Sequence, residues 1–246
     1  MKRVLLTIAY DGTDYHGWQV QPNGITVQEV LQKGLCELLG TKTGATGCSR
    51  TDSGVHAKQF CCHVDCDDNI PEDAFIRGLS AKLPSDIAVI DCKTVASDFH
   101  ARYNALGKTY VYNILNSKIK DPFLERYYWR IERELDIDKM NEFCGKIVGK
   151  HDFYAFSSSG RTVEDTVRTV KECFVTKRDN KVKLQITADG FLYNMVRIIV
   201  GTLMKVGLGV YPPEHVKEIL EAKDRYAAGP KAPARGLTLI GIEYQE

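Results

Sequence analysis

The sequence has almost no net charge and no long apolar run. Lys and Arg number 33 against 32 Asp and Glu, a formal net charge of +1 over 246 residues. A strongly basic chain would indicate nucleic acid directly, so any affinity for RNA has to come from how the charges are distributed. A membrane span needs about 20 consecutive apolar residues, and no stretch approaches that length. The apolar start at 4–10 ends at Asp11-Gly12, which predicts a strand rather than a signal peptide. We therefore expect no membrane association.

The sequence also lacks the cysteine patterns of disulfide scaffolds and zinc sites. Its eight cysteines are scattered through a chain that is long enough to fold without disulfide crosslinks. They predict free thiols in a reducing, cytoplasmic compartment. Cys61, Cys62, His63 and Cys66 form one cluster of metal-ligand types, but adjacent strand residues point to opposite faces and no Cys-x-x-Cys pair occurs. We expect no metal and no cofactor, since a nucleotide-binding loop is also absent from the sequence.

Hydrophobic periodicity predicts an α+β protein. Apolar residues make up 43% of the chain, enough for a sizeable core. Strands are expected at 4–10, 59–64, 87–95, 108–115, 127–131, 166–176, 181–189 and 238–244. Helices are expected between Thr26 and Gly40 and at 71–83, 138–148, 191–206 and 214–222. The chain changes character around 97–104, which divides it into an N-terminal half, 1–100, and a C-terminal half, 101–246. Two related α+β halves sharing a cleft fit this order.

The segment 47–57, Gly-Cys-Ser-Arg-Thr-Asp-Ser-Gly-Val-His-Ala, is the most unusual in the chain. It combines an arginine, a carboxylate, hydroxyls and two glycines in a loop before a strand, where catalytic groups often lie. Its carboxylate, Asp52, is able to act as nucleophile or general base. From composition alone, the simpler interpretation is a turn in which Asp52 caps local amides.

Residues 50–57, Arg-Thr-Asp-Ser-Gly-Val-His-Ala, closely resemble the signature of the tRNA pseudouridine synthase A family. Further matches follow in the family's order along nearly the whole chain, at 9–13, 15–19, 21–23, 26–28, 99–102, 108–112, 151–153, 168–169, 190–197, 201–203 and 234–237. The resemblance implies the pseudouridine synthase fold, with two related halves, mainly antiparallel sheets and a central cleft. It also implies isomerisation of uridine to pseudouridine at positions 38, 39 and 40 of the tRNA anticodon stem-loop.

The resemblance implies roles for five residues. Asp52 becomes the catalytic carboxylate, with attack on the base, attack on the ribose and proton removal all left open. Arg197 would keep that carboxylate charged, since a nearby cation lowers the pKa of a carboxyl group. Tyr110 would stack on the uracil or take a proton from its C5 atom. Arg50 would replace the stacking partner of an extruded base, and Leu237 would contact that base. Their structural alternatives are an ion pair for Arg50, a structural arginine for Arg197, and core packing for Tyr110 and Leu237.

The expected partners are tRNA and a second copy of the chain, because the family works as a homodimer with the RNA spanning both subunits. Basic side chains along the cleft are candidate phosphate contacts. They are Arg77, Lys82, Arg102, Lys108, Arg161, Arg168 and Lys205. Two alternatives remain open, a pseudouridine synthase acting on another RNA and an RNA-binding protein without catalysis.

Overall fold

The computed structural model describes residues 1–160 and 163–245 of the chain. These residues form two compact units. The first contains Met1–Leu106 together with the residues from Thr238 to the C-terminus, and the second contains Gly107–Leu237. Nearly all of the last strand therefore belongs to the same unit as the first strand.

Both units mix strands and helices. The strands are β1 (Lys2–Tyr10), β2 (Thr46–Gly47), β3 (His56–Cys66), β4 (Ile87–Val95), β5 (Ala105–Asn116), β6 (Trp129–Ile131), β7 (Gly149–Asp152), β8 (Val167–Arg178), β9 (Lys181–Ala188) and β10 (Leu237–Tyr244). The helices are α1 (Val27–Leu39), α2 (Glu72–Ser80), α3 (Ile137–Ile147), α4 (Met195–Gly207) and α5 (His215–Ala222). The α+β class predicted from the sequence is confirmed, with mostly antiparallel pairing between strands.

The first unit is built around β1. This strand pairs antiparallel with β3 on one side and β4 on the other, so that Val4 lies opposite both Val64 and Thr94. β10 adds to β3 in parallel, with Thr238 opposite His56, and β2 pairs with β3 antiparallel. From Leu6 to Tyr10 burial along β1 alternates, with Thr7 and Ala9 only partly buried, as expected for a strand that packs one face against the core.

α1 begins and ends where its capping residues predict. Thr26 is the N-cap, and its Oγ1 accepts a hydrogen bond from the backbone N of Glu29 at 3.3 Å. Gly40 ends the helix in the left-handed conformation, with φ of 68°. Leu31 and Leu35 lie one turn apart on its buried face. The amphipathic helix expected between Thr26 and Gly40 is confirmed.

The second unit contains an antiparallel sheet in which β9 lies between β5 and β8. Tyr110 of β5 is opposite Ile186 of β9, and the β8–β9 hairpin turns at Asp179, between the strands predicted at 166–176 and 181–189. β7 pairs with β8, and β6 runs parallel to β5. The side-chain amide of Asn141 in α3 donates to the carbonyl oxygen of Val175 at 3.0 Å and accepts from its backbone N at 2.7 Å. This pair ties α3 to β8.

α4 begins later than the sequence predicts. The apolar run predicts a helix over 191–206, but α4 starts at Met195, so the prediction for 191–194 is wrong. Asn194 has a φ of 61°, a left-handed conformation that interrupts a right-handed helix. Its side-chain amide donates to Oγ of Ser158 at 3.0 Å and accepts from Arg197 at 3.1 Å. Tertiary contacts therefore override the local helical spacing.

Two strands escaped prediction because they are too short to show periodicity: β2 has two residues and β7 has four.

All eight cysteines are free, and seven of them are buried. Burial raises the pKa of Cys92 to about 12, so its thiol stays protonated at neutral pH. Over residues 1–160 and 163–245, no helix combines the length and apolar character that crossing a membrane requires.

Candidate active site

Residues 48–55, called the carboxylate loop below, connect β2 to β3 and carry Asp52. The loop is anchored at its start, where the backbone N of Cys48 donates to the carbonyl oxygen of Cys61 at 2.8 Å. A tight turn closes its end, where the backbone N of Val55 donates to the carbonyl oxygen of Asp52 at 3.1 Å. Asp52 therefore occupies the first position of a hydrogen-bonded turn, with its side chain half-buried.

Residues 11–25, called the opening loop below, hold the carboxylate loop through the backbone. The N–H of Trp18 donates to the carbonyl oxygen of Thr51 at 3.2 Å. In the opposite direction, the N–H of Gly54 donates to the carbonyl oxygen of Tyr15, also at 3.2 Å. The two bonds bracket Asp52 along the chain, so the position of its backbone depends on the opening loop.

Two glycines allow the loops to approach this closely. A Cβ on Gly12 would lie 2.0 Å from the carbonyl oxygen of Val55. A Cβ on Gly17 would lie 2.4 Å from the carbonyl oxygen of Thr51. Gly17 also has a φ of +82°, in the left-handed region that favours glycine. Neither position accommodates a larger residue without moving the carboxylate loop.

Thr51 anchors the middle of the carboxylate loop. Its Oγ1 lies 2.8 Å from the hydroxyl oxygen of Tyr10, and both side chains are buried. The residues on either side behave differently, since Arg50 is exposed and Asp52 is half-buried. The loop therefore holds its central threonine in the core and presents a cation and a carboxylate on either side of it.

The start of β3 adds a buried histidine. Nδ1 of His56 lies 3.1 Å from the backbone N of Gly12 and 3.0 Å from Oδ1 of Asp11. The two contacts require opposite protonation of one nitrogen, because Nδ1 has to be bare to accept from Gly12 and protonated to donate to Asp11. In either form His56 ties β3 to the beginning of the opening loop.

In the second unit, Tyr110 is a buried residue of β5 whose ring meets that of Phe191 edge-on, with centroids 5.2 Å apart. Tyr112, two residues along the strand, is fully buried and donates from its hydroxyl to the carbonyl oxygen of Pro233 at 2.8 Å. Burial raises the pKa of Tyr112 well above its ordinary value. The hydroxyl of Tyr112 is therefore used within the core, where it donates to Pro233. The contact described for Tyr110 is between its ring and that of Phe191.

Arg197 projects from the first turn of α4, and its guanidinium is oriented by groups of its own unit. Nε donates to the carbonyl oxygen of Ala232 at 2.8 Å, and Nη1 donates to Oδ1 of Asn194 at 3.1 Å. The backbone N of Ala232 donates back to the carbonyl oxygen of Arg197 at 3.0 Å. This pairing gives the side chain a defined direction, as recognition of a carboxylate by arginine requires.

Leu237 is buried at the start of β10, directly after a 3-10 turn at Ala234–Gly236. The turn lies against Tyr112, since a Cβ on Gly236 would fall 2.6 Å from that ring. Arg235, within the turn, donates from Nε to the carbonyl oxygen of Tyr128 at 3.1 Å. The backbone leading to Leu237 is therefore fixed by contacts with β5 and with the segment before β6.

Comparison with known proteins places this geometry in a family. The family model for tRNA pseudouridine synthase matches residues 6–104 and 144–245. The chain belongs to the tRNA pseudouridine synthase family. It is 46% identical to tRNA pseudouridine synthase A 2 of Clostridium perfringens over 99% of this chain and 100% of that protein. It is 45% identical to tRNA pseudouridine synthase A of Thermoanaerobacter sp. strain X514 over the same shares. A chain from a crystal structure of a Cbf5–Nop10–Gar1 complex is similar at a TM-score of 0.42 and 12% identity, covering 96% of this chain and 48% of that one.

The structure distributes the five predicted site residues over both units of this family member. Arg50 and Asp52 lie in the carboxylate loop of the first unit. Tyr110, Arg197 and Leu237 belong to the second unit, on β5, α4 and β10. The support that the opening loop gives to Asp52 was not predicted. The only sign of this support in the sequence is the presence of isolated glycines in a polar, aromatic segment. Glycines alone do not reveal which part of the chain they approach.

The predicted phosphate contacts differ in their surroundings. Arg77 pairs with Asp73 one helical turn away, and Nζ of Lys82 lies 3.7 Å from Oε2 of Glu37. Arg168 donates from Nη1 to the carbonyl oxygen of Asp165 at 3.1 Å. Each of these three basic groups thus has a hydrogen-bond or ion-pair partner, and their role as phosphate ligands stays a prediction. Lys108 and Lys205 lie on β5 and α4, Arg102 lies against Tyr103, and Arg161 falls outside the described residues.

Metal ligation has no support in the part of the chain that the structure describes, where no three His, Cys, Asp or Glu side chains group as ligands would. The cluster singled out in the sequence is used otherwise. Nδ1 of His63 accepts a hydrogen bond from the backbone N of Ala101 at 3.1 Å. Cys62 is fully buried, and burial raises the pKa of its thiol well above the ordinary value.

Proposed function

We propose that this protein isomerises uridine to pseudouridine in tRNA, at positions 38, 39 and 40 of the anticodon stem-loop. The observation that carries the proposal is 46% identity over 99% of the chain with a protein named tRNA pseudouridine synthase A 2. The chain also contains the segment 50–57, which resembles the signature of that family. Within this proposal Asp52 is the catalytic carboxylate.

The reaction exchanges one bond for another within a single nucleotide. The glycosidic bond between ribose C1′ and uracil N1 breaks, the base turns, and C1′ bonds to C5. The hydrogen on C5 leaves while N1 gains one, so atoms and electrons balance without any co-reactant. A carboxylate fits this chemistry because it can add as a nucleophile or remove a proton. Asp52 is half-buried on a braced turn, which supports a fixed but reachable carboxylate.

The other proposed residues bind the target uracil base or stabilise the negative charge of the Asp52 carboxylate. A base in a stem has to be extruded first, which costs a few kcal/mol of unstacking. Arg50, exposed beside the anchored Thr51, would offer its guanidinium plane as a replacement stacking partner. Tyr110 would stack on the uracil or accept its C5 proton, and Leu237 would provide an apolar contact. Arg197, whose guanidinium is already oriented, would favour the ionised carboxylate.

The test combines a deletion strain with purified variants. Pseudouridine is mapped in tRNA from cells lacking this protein, before and after complementation with wild type, Asp52→Asn or Asp91→Asn. Asp91 is an exposed carboxylate on β4 and serves as the matched control. We expect modification at 38 to 40 to disappear on deletion and to return with wild type and Asp91→Asn only. In vitro, Asp52→Asn should lose at least about 10²–10⁴-fold in rate while tRNA still binds.

Other outcomes would select the alternatives. Unchanged modification at 38 to 40 in the deletion strain, with loss at other uridines, would indicate another RNA target. Tight tRNA binding by the wild-type protein without any product would indicate an RNA-binding protein without catalysis. Full activity of Asp52→Asn would contradict the assigned carboxylate while leaving the reaction itself in place.

The proposal includes a homodimer in the cytoplasm. The dimer is carried over from the family resemblance, and the compartment is supported by eight free thiols, which suit a reducing environment. Sedimentation of the purified protein at twice the 27.6 kDa chain mass is the expected result for the first point. A species of single-chain mass at micromolar concentration would contradict it. Cell fractionation with an antibody tests the second.

A further inference from the structure

A stack of side chains stands on the surface of the first unit at residues 100–103. The ring of Tyr103 is 76% exposed, yet its centroid lies 4.2 Å from that of His100 with an interplanar angle of 33°. The guanidinium carbon of Arg102 lies over the Tyr103 ring, 5.8 Å from its centroid. A large aromatic surface and a cation are thus presented together to solvent.

The backbone beneath this stack is held in place by several hydrogen bonds. Nδ1 of His100 accepts from the backbone N of Arg102 at 3.1 Å and from that of Tyr103 at 3.4 Å. Oδ1 of Asn104 accepts from the backbone N of His100 at 2.6 Å. These bonds fix the His100 ring, and the His100 ring supports Tyr103. The ring of the exposed Tyr103 is therefore held in a defined orientation.

The turn is also anchored to the core of its unit. Ala101 is fully buried, and its backbone N donates to Nδ1 of His63. Its carbonyl oxygen accepts from the hydroxyl of Tyr244 at 2.7 Å. Nη1 of Arg3 donates to the carbonyl oxygen of Phe99 at 2.9 Å. With the buried side of the turn occupied by these groups, Arg102 and Tyr103 point away from the core.

We propose that Tyr103 and Arg102 form a contact site for one unpaired nucleotide of the RNA substrate. The base stacks on the Tyr103 ring, and the Arg102 guanidinium moves from its place over that ring to bind the adjacent phosphate. Single-stranded RNA is recognised in this way, by stacking on aromatic rings or guanidinium planes with nearby basic groups on the backbone. Tyrosine and arginine are also common in protein interfaces, so the choice of RNA follows from the proposed substrate and is tested below against a protein contact. The inference rests on the proposed function only in taking RNA as the substrate.

Binding is measured apart from catalysis, so that the two proposals can fail separately. The dissociation constant for full-length tRNA is determined by filter binding, for wild type, Tyr103→Ala, Tyr103→Phe and Arg102→Ala. Tyr226→Ala is the matched control, since Tyr226 is 93% exposed on the second unit. Loss of one stacked base should weaken binding by Tyr103→Ala roughly 5- to 150-fold. Tyr103→Phe should bind as wild type, because the ring is kept.

Arg102→Ala should reduce the slope of log affinity against log salt by about one, the signature of one lost phosphate contact. In turnover assays both alanine variants should raise KM and leave kcat unchanged. The proposal is overturned if Tyr103→Ala binds tRNA as wild type, or if Tyr226→Ala weakens binding equally. Unchanged RNA affinity with an altered oligomeric state would make this surface a protein contact instead. Weakened binding in a protein that forms no pseudouridine would keep this inference and reject the proposed reaction.

Discussion

Replacement of Gly17 by alanine tests whether the opening loop positions Asp52. Two costs are expected from the structure. The left-handed φ of +82° is unfavourable for any residue with a Cβ, by about 1–2 kcal/mol. The new Cβ would also lie 2.4 Å from the carbonyl oxygen of Thr51, while ordinary contacts begin near 3.4 Å. The carboxylate loop has to retreat by about 1 Å to relieve this overlap, and Asp52 follows Thr51 directly.

A displacement of that size is expected to affect chemistry more than binding. Misplacement of a reacting group by about 1 Å can cost on the order of 10²-fold in rate. We therefore expect Gly17→Ala to lower kcat by about 10²-fold, with tRNA affinity changed little. The rate is followed by release of tritium from tRNA that carries 5-³H uridine, under single-turnover conditions. Urea unfolding of the same protein measures the loss of stability.

Gly40→Ala separates the two costs. Gly40 has a similar φ of +68°, but a Cβ there would meet no atom within 4 Å. It should therefore lose about 1–2 kcal/mol of stability and keep the wild-type rate. The reasoning is refuted if Gly17→Ala reacts at the wild-type rate, or if Gly40→Ala slows the reaction as much.

Three further predictions concern packing, capping and thiol exposure. Gly201→Ala should lower the free energy of unfolding by about 1–3 kcal/mol or more, because a Cβ would lie 1.6 Å from the carbonyl oxygen of Pro230. Gly145→Ala has open space around the new Cβ and should instead raise the free energy of unfolding by about 0.5–1 kcal/mol. Equal urea midpoints for the two variants would contradict both predictions. Thr26→Ala should cost about 1 kcal/mol by removing the N-cap of α1, measured by the same unfolding curve. Iodoacetamide on the native protein should label Cys36 first, since the seven other cysteines are buried; equal labelling by mass spectrometry would disprove that burial.

The secondary structure could be predicted where local patterns decide it. β4 matches the predicted range 87–95, and α1 begins and ends at its predicted caps. In both cases one side of the element is buried, so the period of apolar residues reports the geometry directly. The start of α4 could not be predicted in this way. The left-handed Asn194 donates from its side-chain amide to Ser158, which is 36 residues away in sequence and outside any local window.

The candidate site was predictable to a different degree. Composition left Asp52 as a residue in a turn, and locally that is what it is, since Val55 closes a hydrogen-bonded turn on it. The turn and the proposed catalytic role are compatible, because a turn supplies the rigid support that a reacting carboxylate needs. The resemblance over 50–57 supplied the role. It did not reveal that Thr51 is anchored to Tyr10 beneath the loop.

The contacts of Trp18 explain why a signature around Asp52 is accompanied by a second matching segment at 15–19. Its indole packs on Phe60 of β3 with ring centroids 4.1 Å apart, and its backbone N–H donates to the carbonyl oxygen of Thr51. Gly47, just before the carboxylate loop, has to lack a Cβ because one would lie 2.6 Å from Nε1 of Trp18. Trp18 thus lies against Gly47 of β2, Thr51 of the carboxylate loop and Phe60 of β3. A change in the opening loop therefore acts on Asp52 without touching it, and the two segments have to be read as one site.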